Sequence, residues 1–165
     1  MTLYETLDAR RTVRSFQTDP IPRATLEKLV AYAAKGPTGC NDQGWVFVVV
    51  DDLATKAKVA GITQWGKFIA QAGACIAIFC DKEATCVLED CSVAAENILL
   101  AATAEGLAGC WVGSYRNENT EPVGKLLGCP ETHELIALIA VGKPTEIPPS
   151  PPKKPLEEIL RWNQF

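Results

Sequence analysis

Histidine is almost absent from this 165-residue chain, and His133 is the only one. That single imidazole follows Cys129-Pro130-Glu131-Thr132 in an apparent loop. No Ser-His-Asp, Cys-His or paired-carboxylate arrangement stands out, and His133 is given no catalytic role. Cysteine pairs of the CxxC type are missing too. The seven cysteines (Cys40, Cys75, Cys80, Cys86, Cys91, Cys110, Cys129) are an odd number, and their spacings match no zinc or iron–sulfur pattern. Cys75 and Cys80 fall within one strand-like run, where they would point to opposite faces. Reduced thiols filling small apolar spaces are expected, with no metal site.

Long apolar runs are lacking as well. The two longest, Ala72 to Cys80 and Leu135 to Val141, fall far short of the roughly 20 residues that a membrane-spanning helix needs. The start, Met1-Thr2-Leu3-Tyr4-Glu5, has no basic segment followed by an apolar one, so no secretory signal is expected and the chain reads as cytoplasmic. Positive charge is also short. A net charge of −4 gives no broad attraction to nucleic acid or to an anionic membrane, so any anion site must be local. Internal repeats are absent, and the length suits one domain with a sizeable core.

What the chain does have is a local concentration of arginine. Arg10-Arg11-Thr12-Val13-Arg14-Ser15-Phe16 holds three guanidiniums, whose planar forks suit phosphate and carboxylate. Cations are also favoured at a helix end by its dipole, so the run is either an anion site or a solvated helix terminus. Thr2-Leu3-Tyr4-Glu5 is a possible capping box for a short helix ending near these arginines. A second helix starts at Pro22 and runs along Leu26, Leu29, Val30 and Ala33 as far as Gly36-Pro37.

Trp45 to Val50 is a continuous β-prone run, which predicts a strand covered on both faces. Helical stretches follow around Leu53 to Val59 and near Lys67 to Gln71. Ala74 to Cys80 reads as a second buried strand. Val87 to Glu105 is a long helix apolar on nearly every face, which predicts a central or interface position, and Gly106 is its end signal. Ala108 to Val112 is a short strand, Thr120 to Leu127 a short helix and Leu135 to Val141 a third clear strand.

Six prolines between Pro144 and Pro155 forbid helix and central strand there. At about 3.1 Å per residue the stretch reaches roughly 37 Å. A globule of this length has a radius of gyration of about 15 Å. Such an arm can cross a subunit face and dock its helical end, Leu156 to Trp162, on a neighbour. A linker to another domain would leave Leu156, Ile159, Leu160, Trp162 and Phe165 exposed.

Four segments in order carry a family resemblance: Arg10 to Phe16; Gly36-Pro37-Thr38-Gly39-Cys40-Asn41-Asp42-Gln43-Gly44-Trp45; Glu105-Gly106-Leu107-Ala108-Gly109-Cys110-Trp111-Val112-Gly113-Ser114; and Val141-Gly142-Lys143-Pro144 with Lys153-Lys154-Pro155-Leu156-Glu157-Glu158. Together they resemble the FMN-dependent nitroreductase family over essentially the whole chain. The resemblance implies an α+β, three-layer fold with a mixed, mainly antiparallel central sheet flanked by helices. It also implies one FMN-binding domain over 1–165, with residues 144–165 as an extended Pro-rich C-terminal arm on the partner subunit of a homodimer.

It further implies an oxidoreductase that passes a hydride from NAD(P)H through FMN to a nitroaromatic or quinone by ping-pong kinetics. Alternatives are a flavin-handling module without turnover and a branch with other flavin chemistry. Residue by residue, Arg10, Arg11, Thr12 and Arg14 match the phosphate and ribityl site, and Lys153 stands where the family commonly has an arginine. Thr38, Asn41 and Gln43 match the loop along the flavin edge. Val112, Gly113 and Ser114 match the strand whose backbone meets the ring, where a donor near N5 tunes hydride chemistry. Two departures stand in that loop: Gly44 replaces the usual proline before Trp45, and Cys40 takes the place of a small or hydroxyl residue. Trp65 and Trp111 are large enough to wall the substrate side.

Overall fold

The computed structural model describes residues 1–165. Helix α1 (Leu3–Ala9) begins at a complete capping box. The Thr2 N–H donates to Glu5 Oε2 at 2.7 Å and the Glu5 N–H donates to Thr2 Oγ1 at 3.3 Å. Helix α2 (Arg23–Ala33) starts after Pro22, whose missing N–H is no loss at a helix start. Strand β1 (Trp45–Val50) leads into α3 (Leu53–Ile62), and a 3-10 turn (Lys67–Gln71) leads into β2 (Ala74–Asp81). The long helix α4 (Val87–Ala104) comes next, then β3 (Ala108–Gly113), α5 (Thr120–Leu126), β4 (His133–Gly142) and a four-residue α6 (Leu156–Ile159).

The end of α4 follows the glycine signal. Gly106 takes a φ of 74°, its N–H donates to Thr103 O at 3.0 Å, and the Leu107 N–H donates to Ala102 O at 2.8 Å. This pair of bonds is the Schellman closure, which only a left-handed residue permits at low cost. Chain direction therefore reverses within two residues and delivers β3 alongside the helix.

The four strands form one sheet in the order β1-β2-β4-β3, with every neighbouring pair antiparallel. A parallel bridge between Thr12 and Gly109 adds the mixed element, tying the arginine segment to the β3 edge. Helices α2 and α4 cover one face through Leu26, Leu29, Ala94 and Ile98 against Ile76, Ile78 and Ile139. On the other face α3, the Lys67–Gln71 turn and α5 pack Val59, Ile69 and Val123 against Ala77, Phe79 and Leu138. The chain is thus three layers, and the continuous apolar runs of β2 and β4 are those of central strands buried on both sides. Cys75 and Cys80 lie on opposite faces, as their spacing requires. Burial in the core pushes the Cys75 thiol up to about 12 and raises those of Cys80, Cys91 and Cys110, so these four stay protonated.

Several elements differ from the sequence expectation. Strand β1 is apolar along its length but is the sheet edge, and Val46 and Val49 remain 46% and 37% exposed. Helix α4 buries one face (Cys91, Ala94, Ala95, Ile98, Leu99, Ala102) and leaves Leu88 and Val93 open to solvent. His133 opens β4 instead of lying in a loop, because its N–H already closes the turn onto Pro130 O at 3.0 Å. The last helix ends at Ile159, with Leu160 back in an extended conformation.

One buried cation braces the second layer. Lys56 on α3 is 4% exposed and its Nζ donates to Ala72 O at 2.6 Å and Gly73 O at 3.2 Å, just before β2. Burial lowers the pKa of this ammonium, with Asp51 and Asp52 opposing the shift. Lys56→Met keeps most of the stem and leaves these carbonyls unpaired, a loss of about 1–3 kcal/mol. A melting temperature lower by roughly 5 °C is the expected result of thermal unfolding.

Candidate cofactor site

Three of the four predicted phosphate-site residues on α1 and its exit, Arg10, Arg11 and Thr12, line one cleft of about 450 Å³. Its opposite wall is the proline arm, through Pro148, Pro149, Pro151, Ser150 and Lys153. The arm is held at its root, where the Thr145 N–H donates to Ser15 O at 3.1 Å and Gln17 Nε2 donates to Pro144 O at 3.0 Å. Within the single chain, Lys153 thus lines the same cleft as the arginines. The cleft gathers three cations and two hydroxyls, with the Asp8 carboxylate as its one anion, in an otherwise acidic protein.

Each arginine has a distinct environment. Arg10 Nε lies 3.4 Å from Glu96 Oε1 on α4, so its charge is partly answered. Arg11 Nη1 donates to Asp8 O at 2.7 Å and Arg10 O at 2.8 Å, which caps the end of α1, yet its buried Nε has no partner. Arg11 thus ends the helix, as the helix-terminus reading of the run expects, while its Nε bonds to nothing within the chain. Arg14 does not line the cleft, and its guanidinium carbon sits 6.0 Å from the centre of the Phe68 ring.

The β3 edge presents a second set of donors. In the antiparallel ladder with β4, the Ser114 N–H donates to Ile136 O at 3.2 Å. By the alternation of such ladders, Val112 and Ser114 spend their N–H groups on β4, while Gly109, Trp111 and Gly113 point theirs out along the open edge. The outward Gly109 carbonyl accepts from Val13 N at 3.0 Å, and the outward Gly113 carbonyl accepts from Asn117 Nδ2 at 3.0 Å. Of the three residues predicted to offer backbone to a ring, Gly113 has an N–H available, Val112 and Ser114 have none, and the Ser114 hydroxyl bonds back to Val112 O at 3.4 Å.

Two glycines on this edge differ sharply. A Cβ on Gly109 would lie 2.7 Å from Leu99 Cδ2 and 2.9 Å from Ala140 O, whereas one on Gly113 meets nothing within 4 Å. Gly109→Ala should therefore cost about 1–3 kcal/mol through overpacking and Gly113→Ala almost nothing. Parallel thermal melts should show a drop of several degrees for the first variant and none for the second. The space beside Gly113 is unfilled by protein, and Trp111, 36% exposed, borders the same edge. Trp65 lies at 75% exposure in the loop before the Lys67–Gln71 turn.

The Thr38–Gln43 loop forms a third region, a 3-10 turn (Gly39–Asn41) at the start of α4. Cys40, Asn41 and Gln43 all have positive φ (50°, 61° and 52°). Thr38 Oγ1 accepts from Gln43 N at 3.3 Å, and Asp90 accepts from Gly39 N through both oxygens at 3.1 Å. Asp42 on the loop accepts from Thr85 N at 2.8 Å. The departure at Gly44 has a packing reason, since a Cβ there would lie 2.7 Å from Ala84 Cβ. The loop and the cationic cleft are tied to α4 at Asp90 and Glu96, which stand about 9 Å apart along the helix axis.

The donor set fits a flavin mononucleotide. A cleft lined by cations and hydroxyls suits a phosphate, and an open strand edge with a free amide suits a flat ring. Missed from sequence were Ser150, hidden among prolines, and Glu96 and Asp90, which read there only as polar positions of α4.

Comparison with known proteins agrees with this architecture. A family model described as "Putative TM nitroreductase" matches residues 2–164. A protein of Methanothermobacter thermautotrophicus named "Putative NADH dehydrogenase/NAD(P)H nitroreductase" is 30% identical over 153 residues, spanning 90% of this chain and 80% of its own. A crystal structure from Bacteroides thetaiotaomicron bearing the same name superposes with a TM-score of 0.93 at 28% identity, over 100% of this chain and 99% of that one. An FMN-dependent nitroreductase from Clostridium difficile has the same fold, with a TM-score of 0.89 at 24% identity over 97% and 98% of the two chains.

Proposed function

Because the chain belongs to the nitroreductase family, we propose that its cleft and β3 edge hold FMN and that it passes reducing equivalents from NAD(P)H to a small organic acceptor such as a nitroaromatic or a quinone. At the coarser level it is an NAD(P)H-dependent flavin oxidoreductase. Bound FMN would supply the hydride carrier, chemistry that no side chain here provides.

The chain's own residues bind and orient. Arg10, Arg11 and Lys153 neutralise the phosphate, with Thr12 and Ser150 offering hydroxyls. The convergence of Arg10, Arg11 and Lys153 on one cleft is the observation that carries this reading, because three like charges held together are relieved by a bound anion. Gly113 donates its outward N–H at the ring edge, and Asn41 and Gln43 supply amide groups from the loop. Trp111 beside that edge narrows the place where nicotinamide and acceptor alternate.

A homodimer is part of the same proposal. The exposed Val46 and Val49 of the β1 edge and the exposed Ile159, Trp162 and Phe165 beyond Lys153 are apolar surface that a second copy would cover. The arm then does two things: Lys153 closes its own cleft, and residues 156–165 pack on the partner. Spectra and turnover combine in one test. The purified protein should be yellow, or become so with added FMN, and should oxidise NAD(P)H when a nitroaromatic or quinone is supplied. A colourless protein that takes up no FMN would refute the proposal, and bound flavin without any NAD(P)H oxidation would mark a flavin-handling module.

A further inference from the structure

We infer that Asp90, with Asp42 in support, is the positioning residue that holds the Thr38–Gln43 loop in its flavin-facing shape; the inference rests on the flavin reading of that loop. Three residues of the loop, Cys40, Asn41 and Gln43, have left-handed backbone, although none is glycine. Each such residue costs on the order of 1–2 kcal/mol, and strain of this kind persists only where the surroundings over-determine it. The loop's internal bonds are short-range: Asn41 N to Thr38 O at 3.1 Å, Asp42 N to Gly39 O at 2.9 Å, and Gln43 N to Thr38 Oγ1 at 3.3 Å. Bonds of this type close a turn but do not place it on the protein.

Placement comes from carboxylates. Asp90, in the first turn of α4 and 6% exposed, accepts the Gly39 N–H through both oxygens at 3.1 Å. Asp42 reaches the other way and accepts the Thr85 N–H at 2.8 Å, just ahead of the same helix. The peptide at Gly39 is also pressed against Cys86, where a Cβ would sit 2.8 Å from Sγ, so the loop backbone has one seat. A carboxylate in the first turn of a helix is favourably placed by the helix dipole, and its two oxygens both face the Gly39 N–H. Asp90 fixes Gly39, Gly39 fixes the start of the turn, and the turn aims Asn41 and Gln43.

The test measures FMN dissociation constants by flavin fluorescence for the wild-type protein, Asp90→Asn, Asp90→Ala and Asp42→Ala, with hydrogen exchange on the segment containing Gly39. Asp90→Ala should weaken FMN binding at least tenfold and remove protection at Gly39. Asp90→Asn keeps an acceptor oxygen in place and should stay within about threefold of wild type. Asp42→Ala removes an exposed tie and should weaken binding about threefold, which gives a readout even if Asp90→Ala does not fold. Lys56→Met serves as a control that loses stability without touching the loop and should retain wild-type FMN affinity. Unchanged FMN affinity in both alanine variants would overturn the inference, as would equal losses in Asp90→Ala and Lys56→Met. A wild-type protein that takes up no FMN would overturn the flavin reading itself.

Discussion

Arg11→Ala is expected to raise the FMN dissociation constant about 10- to 100-fold while leaving riboflavin affinity unchanged. The guanidinium has two jobs that the variant separates. Its Nη1 caps carbonyls at the exposed end of α1, bonds whose loss costs little because water replaces them. Its positive charge also lines the cleft, where the proposal places the phosphate. A hydrogen bond to a charged group is worth about 1.5–3 kcal/mol. That corresponds to the stated range, since each 1.4 kcal/mol is about tenfold. Riboflavin lacks the phosphate, so its binding reports the rest of the pocket. Arg10→Ala should have a smaller effect, because Glu96 already answers part of its charge. Equal losses of FMN and riboflavin affinity in Arg11→Ala would show that the side chain acts on the fold and not on a phosphate.

Removing residues 144–165 is expected to yield a colourless monomer. The deletion takes away Lys153 and the Pro148–Pro151 wall, so the cleft opens to solvent on one side. It also removes Ile159, Trp162 and Phe165, which are solvent-exposed on the isolated chain and have no intramolecular role. The sheet draws no residue from beyond Gly142 and the two core faces none from beyond Val141, so the remainder should fold. Gel filtration and a flavin spectrum on the truncated protein check both halves of the expectation. Lys153→Ala separates them: it should weaken FMN binding while leaving the dimer intact. A truncated protein that remained a yellow dimer would contradict the role given to the arm.

Features encoded by adjacent residues were legible in the sequence. The capping box at Thr2, the glycine stop at Gly106 and the buried runs of β2 and β4 depend on neighbours in the chain, and the structure reproduces them. Strand β1 was misread because its sequence resembles that of a central strand. Its edge position follows from the order β1-β2-β4-β3, which no local pattern of Trp45–Val50 encodes. Ladder parity is equally non-local. Val112, Gly113 and Ser114 look interchangeable as backbone donors until the register with Leu138, Ala137 and Ile136 assigns an outward N–H to Gly113 alone.

The candidate site follows the same division. The chemistry of the arginine run pointed to an anion, and the structure gathers Arg10, Arg11 and Thr12 with Lys153 in one cleft. Arg14 shares the motif but stacks near Phe68, because the chain turns into the core at Val13 and Phe16 between its neighbours. Asp90 was silent in the sequence for a physical reason. An acidic residue in the first turn of a helix is ordinary, and its reach to Gly39 exists only once α4 is folded against the loop.

The central claim is that the cleft between α1 and the proline arm holds the phosphate of FMN. Titrating the apoprotein with FMN and with riboflavin at low and high salt tests it most directly. FMN should bind at least a hundredfold more tightly at low salt, and the advantage should shrink as salt screens the cations. Equal affinities for the two flavins, unaffected by salt, would contradict the account.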